Sequence, residues 1–259
     1  MPIIQFDSYL LFLLVFTRMT GALLFHPLLG RRNVPTIVKI GLALLTALVV
    51  TPMLPVRVPE FGSTLSFMLC LMKEMLIGYT IGFITNLFVS WVLTAGEIMD
   101  MQMGLGMSKL YDPQSNVSMP ISGTLFNIMI TLIFFTSNGH LTLIRIVSES
   151  CRLFPPGPGL VDFQAGSTIV LLLGDLILLA LKLAMPVFAI ELLSEAGLGV
   201  LMRLVPQINV FVVGLQIKLV VGIAIIILAL PAISRLMDSS LVMLYEKLQE
   251  SMELMLPSA

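Results

Sequence analysis

The fold class this sequence predicts is all-α: an integral membrane protein of about six hydrophobic helical segments arranged as helical hairpins. Three observations carry that expectation. Of 259 residues, 58% are hydrophobic and only 11% charged, with a mean hydropathy of +1.04. A globular domain averages about 25% charged residues, so the chain has too little charge to cover a water-facing surface. Apolar stretches at 9–29, 37–54, 65–95, 121–147, 168–193 and 210–233 each reach the length, roughly 20 residues, that a helix needs to cross a hydrocarbon core. Short punctuating segments separate them, which makes the hairpin the expected repeating unit.

The elements follow in chain order. Residues 1–8 hold no Lys or Arg and no small-residue cleavage pattern closes the first stretch, so it is expected to remain rather than to act as a cleaved signal. Pro52, Pro55 and Pro59 bracket the turn after the second. The third and fourth stretches are overlong and must tilt, bend or break. Gly78 and Gly82 in the third form a GxxxG, the spacing at which helix backbones approach closely. Asn138, Gly139 and His140 mark a break in the fourth. Pro155, Pro156, Gly157, Pro158 and Gly159 make a turn that cannot be helical. Pro186 is expected to kink the fifth stretch. An amphipathic segment at 239–256, with Glu246, Lys247, Glu250 and Glu253 among Leu and Met, either binds a partner or caps the bundle.

Ionisable residues sit well inside these stretches: Arg18, Lys73, Glu74, Asp175, Lys182, Glu191 and Lys218. Each costs about 2.5–3.5 kcal/mol at a helix centre facing lipid, so they are expected to face protein, a partner charge or water. Asp175 and Lys182, two turns apart on one helix face, serve either an ion relay or pairing between helices or subunits. Glu191 and Glu195 repel at i,i+4 unless a cation lies between them, which points to an interface. Adjacent Lys73 and Glu74 point apart and are expected to meet different partners. The positive-inside count assigns no orientation, with five Lys or Arg on each side of an alternating threading.

Several chemistries lack their residues. Lys+Arg 14 against Asp+Glu 15 leaves no basic face for nucleic acid. Cys70 and Cys151 have no CxxC or metal spacing, and with only two histidines no metal site assembles. No P-loop, HExxH or GxSxG is present. No enzyme activity and no cofactor are expected.

The longest punctuating segment is 96–120. It opens with Glu97 and Asp100 and alternates Met99, Met101, Met103, Leu105 and Met107 with Asp100, Gln102, Gly104, Gly106 and Ser108. Methionine fills irregular gaps without demanding one geometry. Gly104 and Gly106 argue that any helix ends there, and Asp112-Pro113 centres a turn. Extended, half of this segment reaches ~25 Å or more, enough to lie across a pore. A re-entrant interfacial segment is the other reading.

The run Ala95, Gly96, Glu97, then Gln102 to Leu105, Asp112-Pro113 and Met119-Pro120 resembles the FliR family of flagellar export-gate subunits and their injectisome counterparts. So do Ser137 to His140 and the run from Val205 through Pro206, Gln207, Ile208 and Asn209 to Phe211. Length and motif order agree over essentially the whole chain. The resemblance implies one copy of this chain in a helical pore with several FliP-like and FliQ-like subunits. FlhB-like and FlhA-like proteins join it, and unfolded rod, hook and filament subunits cross the bacterial cytoplasmic (inner) membrane through the pore, within the flagellar basal body. It divides the chain into a FliP-like region, 1–167, and a FliQ-like region, 168–259. Segment 104–120 matches the family's plug. Met103, Gly104, Leu105, Gly106, Met107, Leu110, Tyr111, Asp112 and Pro113 are the implied gating residues, with Lys109 a departure in a mainly apolar loop. Lys73, Glu74, Asn138, His140, Asp175, Lys182, Glu191, Pro206, Gln207 and Asn209 are the implied structural or inter-subunit polar residues. The competing readings are a secondary transporter coupled through Asp175 and Lys182, and the equivalent injectisome subunit.

Overall fold

The computed structural model describes residues 6–30, 34–55, 61–107, 120–158, 165–205 and 210–255. Among them lie seven α-helices: α1 Phe6–Leu24, α2 Thr36–Val50, α3 Thr64–Gln102, α4 Ile121–Thr136, α5 Gly139–Leu153, α6 Ala165–Leu204 and α7 Val210–Glu253. Two 3-10 turns, Thr51–Met53 and Leu105–Met107, follow α2 and α3. Among the described residues, four helical segments are long and apolar enough to cross a membrane: Thr36–Met53, Thr64–Gln102, Val170–Leu204 and Val213–Glu253. The α4–α5 pair supplies a fifth if counted as one broken span.

The apolar stretches expected from the sequence appear as helical segments of unequal length. The apolar part of α1, Tyr9–Leu24, is shorter than a span, and it buries Leu14, Val15, Met19 and Arg18 inside the protein. The fourth stretch breaks at Asn138, whose φ of 59° is left-handed, a conformation asparagine tolerates better than most residues. The third stretch does not end at residue 95. Its helix runs 39 residues to Gln102, about 58 Å at 1.5 Å per residue.

The chain forms two compact units interleaved along the sequence. One comprises Met1–Phe88, Ser137–Leu172 and Val242–Ala259. Within it, the GxxxG of α3 sets the approach of α1. A Cβ on Gly78 would fall against the Arg18 carbonyl oxygen, and one on Gly82 would lie 3.0 Å from the Ala22 carbonyl oxygen. Helix α5 is amphipathic, burying Leu143, Ile146, Val147, Ser150 and Cys151 at helical spacing and exposing Arg145, Glu149 and Arg152. The C-terminal part of α7 buries Leu244, Leu248, Ser251 and Met252 within its own chain and leaves Val242 and Leu254 exposed.

The other unit comprises Val89–Thr136 and Leu173–Leu241. Trp91, Val92, Ala95 and Met99 of α3, Phe126, Ile130 and Phe134 of α4, Leu183 and Val187 of α6 and Ile233 and Met237 of α7 form its core. Helices α6 and α7 continue through Pro186 and Pro231. Each proline leaves the carbonyl four residues earlier without its helical donor.

Candidate functional site

Among the described residues, three polar arrangements interrupt the apolar packing, and the segment after α3 starts from one of them. In the first unit, Arg18 of α1 and Glu74 of α3 are fully buried and form an ion pair. Arg18 Nε donates to Glu74 Oε2 at 2.6 Å. Its Nη1 donates to the Ser150 carbonyl oxygen at 2.6 Å and its Nη2 to the Phe154 carbonyl oxygen at 2.9 Å. Those two carbonyls lie at the end of α5: that of Ser150 also accepts from the backbone N of Phe154 at 2.9 Å, and Phe154 is the residue that follows the helix. One guanidinium therefore neutralises α3 and caps α5 from α1. Lys73 donates to the Gly157 carbonyl and also lies 3.6 Å from Glu74 Oε1. The adjacent pair thus finds different partners, as expected, while also touching.

In the second unit, the root of the segment after α3 is clamped. Asp100, in the last turn of α3 and nearly fully buried, accepts from the backbone N of Ser122 at 3.2 and 3.4 Å. Ser122 lies in the first turn of α4, where backbone N–H groups are unpaired and a carboxylate is favoured. Gly96 and Gly123 bring α3 and α4 backbone to backbone, since a Cβ on Gly96 would overlap the N and Cα of Gly123. Both stems of the intervening segment are thereby held together.

The alternating Met pattern proves to be helical at its start. Met99 and Met103 are one turn apart and buried, whereas Met101 is 69% exposed. Gly104, at φ +79°, turns the chain out of α3. Met103 is directed into the protein, and Leu105 and Gly106 are half-buried. Leu110, Tyr111, Asp112 and Pro113 lie outside the described residues, as do Pro206, Gln207 and Asn209. So does the side chain of Met107.

Among the charges of α6, Asp175 is half-buried and Lys182 exposed, and neither forms an ion pair with another described residue. The cation expected beside Glu191 and Glu195 comes from this chain: Lys218 of α7 bonds Glu195 Oε1 at 3.1 Å. Glu191 is fully buried, and neither of its carboxyl oxygens has a hydrogen-bond partner among the described residues. Asn138 is exposed and His140 half-buried at the start of α5. Arg18 and Asp100 are the connecting residues that sequence reasoning did not place at a site. Arg18 carried a signal, a lone cation in an apolar helix, and Asp100 another, an acid at the end of one.

The profile of the family described as "Bacterial export proteins, family 1" matches residues 9–243. The flagellar biosynthetic protein FliR of Escherichia coli (strain K12) is 36% identical over 211 residues, covering 80% of this chain and 79% of that protein. The FliR of Pectobacterium carotovorum subsp. carotovorum is 33% identical, covering 84% and 83%. That of Bacillus subtilis (strain 168) is 30% identical over 88% of each chain.

Proposed function

Given that this chain belongs to the bacterial export proteins, family 1, we propose that it forms and plugs the pore of the flagellar type III export gate. Its membership makes it a membrane-embedded component of the flagellar type III export apparatus. The finer reading is a single copy assembled with FliP-like and FliQ-like subunits in the bacterial inner membrane, at the flagellar basal body. FlhB-like and FlhA-like proteins flank it and unfolded rod, hook and filament subunits pass through. Residues 1–167 act as its FliP-like half and 168–259 as its FliQ-like half. It works by passage and closure, without bond chemistry.

The observation that carries the gating part is the clamp at Asp100 and Ser122. The two stems of the segment are hydrogen-bonded within one compact unit, and Gly104 supplies the turn where α3 ends. Hydrophobic constrictions close by excluding water. Methionine-rich surfaces re-pack around varied sequences, which suits a pore that admits many unfolded chains. The solute-transporter reading loses ground to the family membership, and the relatives named above are flagellar rather than virulence proteins.

Native mass spectrometry after gentle detergent extraction tests the assembly. One copy of this chain among many copies of two smaller membrane proteins is the expected result. A monomer or homodimer, with solute uptake abolished by Asp175→Asn, would return the transporter reading.

A further inference from the structure

Residues of α2 and α5 line one groove of about 510 Å³ within the first unit. Its α2 wall is apolar: Leu45, Val49 and Met53, one turn apart along the chain, are 61%, 56% and 62% exposed beside buried Val50 and Leu54. Its α5 wall is a polar stripe, in which Arg145, Ser148, Glu149 and Arg152 recur at helical spacing. The hydroxyls in the groove are already donating within their own helices, Thr46 to the Leu42 carbonyl oxygen at 2.9 Å and Ser148 to that of Ile144 at 2.7 Å. The two guanidinium groups therefore hold the side-chain donors that remain. Arg152 is exposed and lies 3.7 Å from Glu149, a surface pair of little strength. Arg145 is exposed and has no hydrogen bond or ion pair among the described residues.

An apolar wall facing a basic stripe fits a ligand that has both a hydrocarbon chain and an anionic head. The surroundings of α2 say which. The segment Thr36–Met53 is long and apolar enough to cross a membrane, and only 17% of it is buried in its own chain. Its exposed face at 45–53 therefore continues the surface that meets acyl chains. The groove lies at the end of that segment, where the 3-10 turn Thr51–Met53 leads to Pro55. A crossing helix leaves the hydrocarbon at such an end, and lipid phosphates begin there. A cation beside hydrocarbon is costly without a counter-charge, and arginine meets phosphate with paired N–H donors. We propose that the groove binds one anionic phospholipid, whose phosphate is held by Arg145 and Arg152 and whose acyl chain lies along Leu45, Val49 and Met53. Basic pockets beside membrane-spanning helices take anionic headgroups in this way. A soluble anion would leave the apolar wall uncovered, and an apolar segment of another protein would leave Arg145 without a counter-charge. The proposal does not depend on the gate reading above.

The test uses the full chain extracted in mild detergent, in whatever assembly it keeps, and counts retained lipid by native mass spectrometry after stripping and adding lipid back. Phosphatidylglycerol and phosphatidylcholine with the same acyl chains are the probes. The wild type is expected to hold phosphatidylglycerol about tenfold more tightly than phosphatidylcholine. Arg145→Gln with Arg152→Gln should remove one bound phosphatidylglycerol and leave phosphatidylcholine retention unchanged. Val49→Trp fills the groove while keeping both arginines, so it should remove the same lipid and serves if the double variant fails to fold. Equal retention of the two lipids by the wild type overturns the site, as does undiminished phosphatidylglycerol on a folded variant. Displacement of the lipid by millimolar inorganic phosphate would make free phosphate the ligand and would also overturn it. A photo-crosslinker placed at position 45 in cells identifies the occupant in the membrane: phospholipid adducts support the proposal, and adducts with another protein chain alone overturn it.

Discussion

Arg18 shows how one buried charge is made tolerable: a carboxylate on one helix and two helix-end carbonyls on another surround it. Removing only one partner is the costly change, because it strands the other without solvent. Glu74→Leu is expected to destabilise the first unit by about 3–5 kcal/mol. Arg18→Met together with Glu74→Leu should recover a large part of that. Thermal unfolding of the purified protein decides it, and strictly additive losses would contradict the account. His26 is a second buried polar residue, in the turn after α1, where its Nδ1 accepts from the backbone N of Leu28 and Leu29, both at 3.1 Å. Burial lowers its pKa from 6.5 to about 3. Below pH 6.5 the unfolded chain therefore binds a proton that the folded chain refuses until about pH 3. Stability should be full above pH 6.5 and fall steadily towards pH 3, a slope that His26→Gln flattens in melting curves. At this scale the sequence made the inboard charges visible, since each stands alone in an apolar run. Their partners were not visible, because Arg18 meets Glu74 56 residues away and Ser150 132 residues away.

Helices are where the sequence is most legible, and their ends least. Apolar runs located α2, α3, α6 and α7, and Gly104 placed the end of α3 within two residues. The segment 96–102 was misread as loop because alternation and helical spacing coincide there: Met99 and Met103 are both two steps of period two and one helical turn apart. Apolar length does not distinguish a helix facing lipid from one buried in protein, so the sequence could not show that α1 buries Leu14, Val15 and Met19 inside the chain. Packing between elements rests on glycines whose role only the partner reveals. Gly96→Ala drives a methyl into the Gly123 backbone, an overpacking expected to cost about 1–3 kcal/mol. Gly41 in α2 has nothing within 4 Å of its would-be Cβ. Gly41→Ala should therefore leave stability unchanged or raise it by about 0.5–1 kcal/mol through helix propensity. The two variants melted side by side check the argument, and equal effects would contradict it.

The whole molecule keeps much of its apolar surface uncovered. The apolar windows of the α2 and α7 spans are only 17% and 22% buried within the chain, and α6 exposes Val170, Leu171, Ile177, Leu178 and Leu193. Such faces demand lipid or other subunits, which agrees with a chain that works inside a larger membrane assembly. Membership in the export family was legible from the motifs and their order, and the family match over residues 9–243 bears it out. The clamp at Asp100 was not, since it depends on residues brought together from separate helices. The central claim is that the segment between α3 and α4 closes a pore. Its most direct test is the resting ion conductance of membranes holding complexes in which residues 105–117 of this chain are deleted. Normal complex yield with a conductance well above wild type is the predicted result. A tight membrane around the intact deleted complex would contradict it.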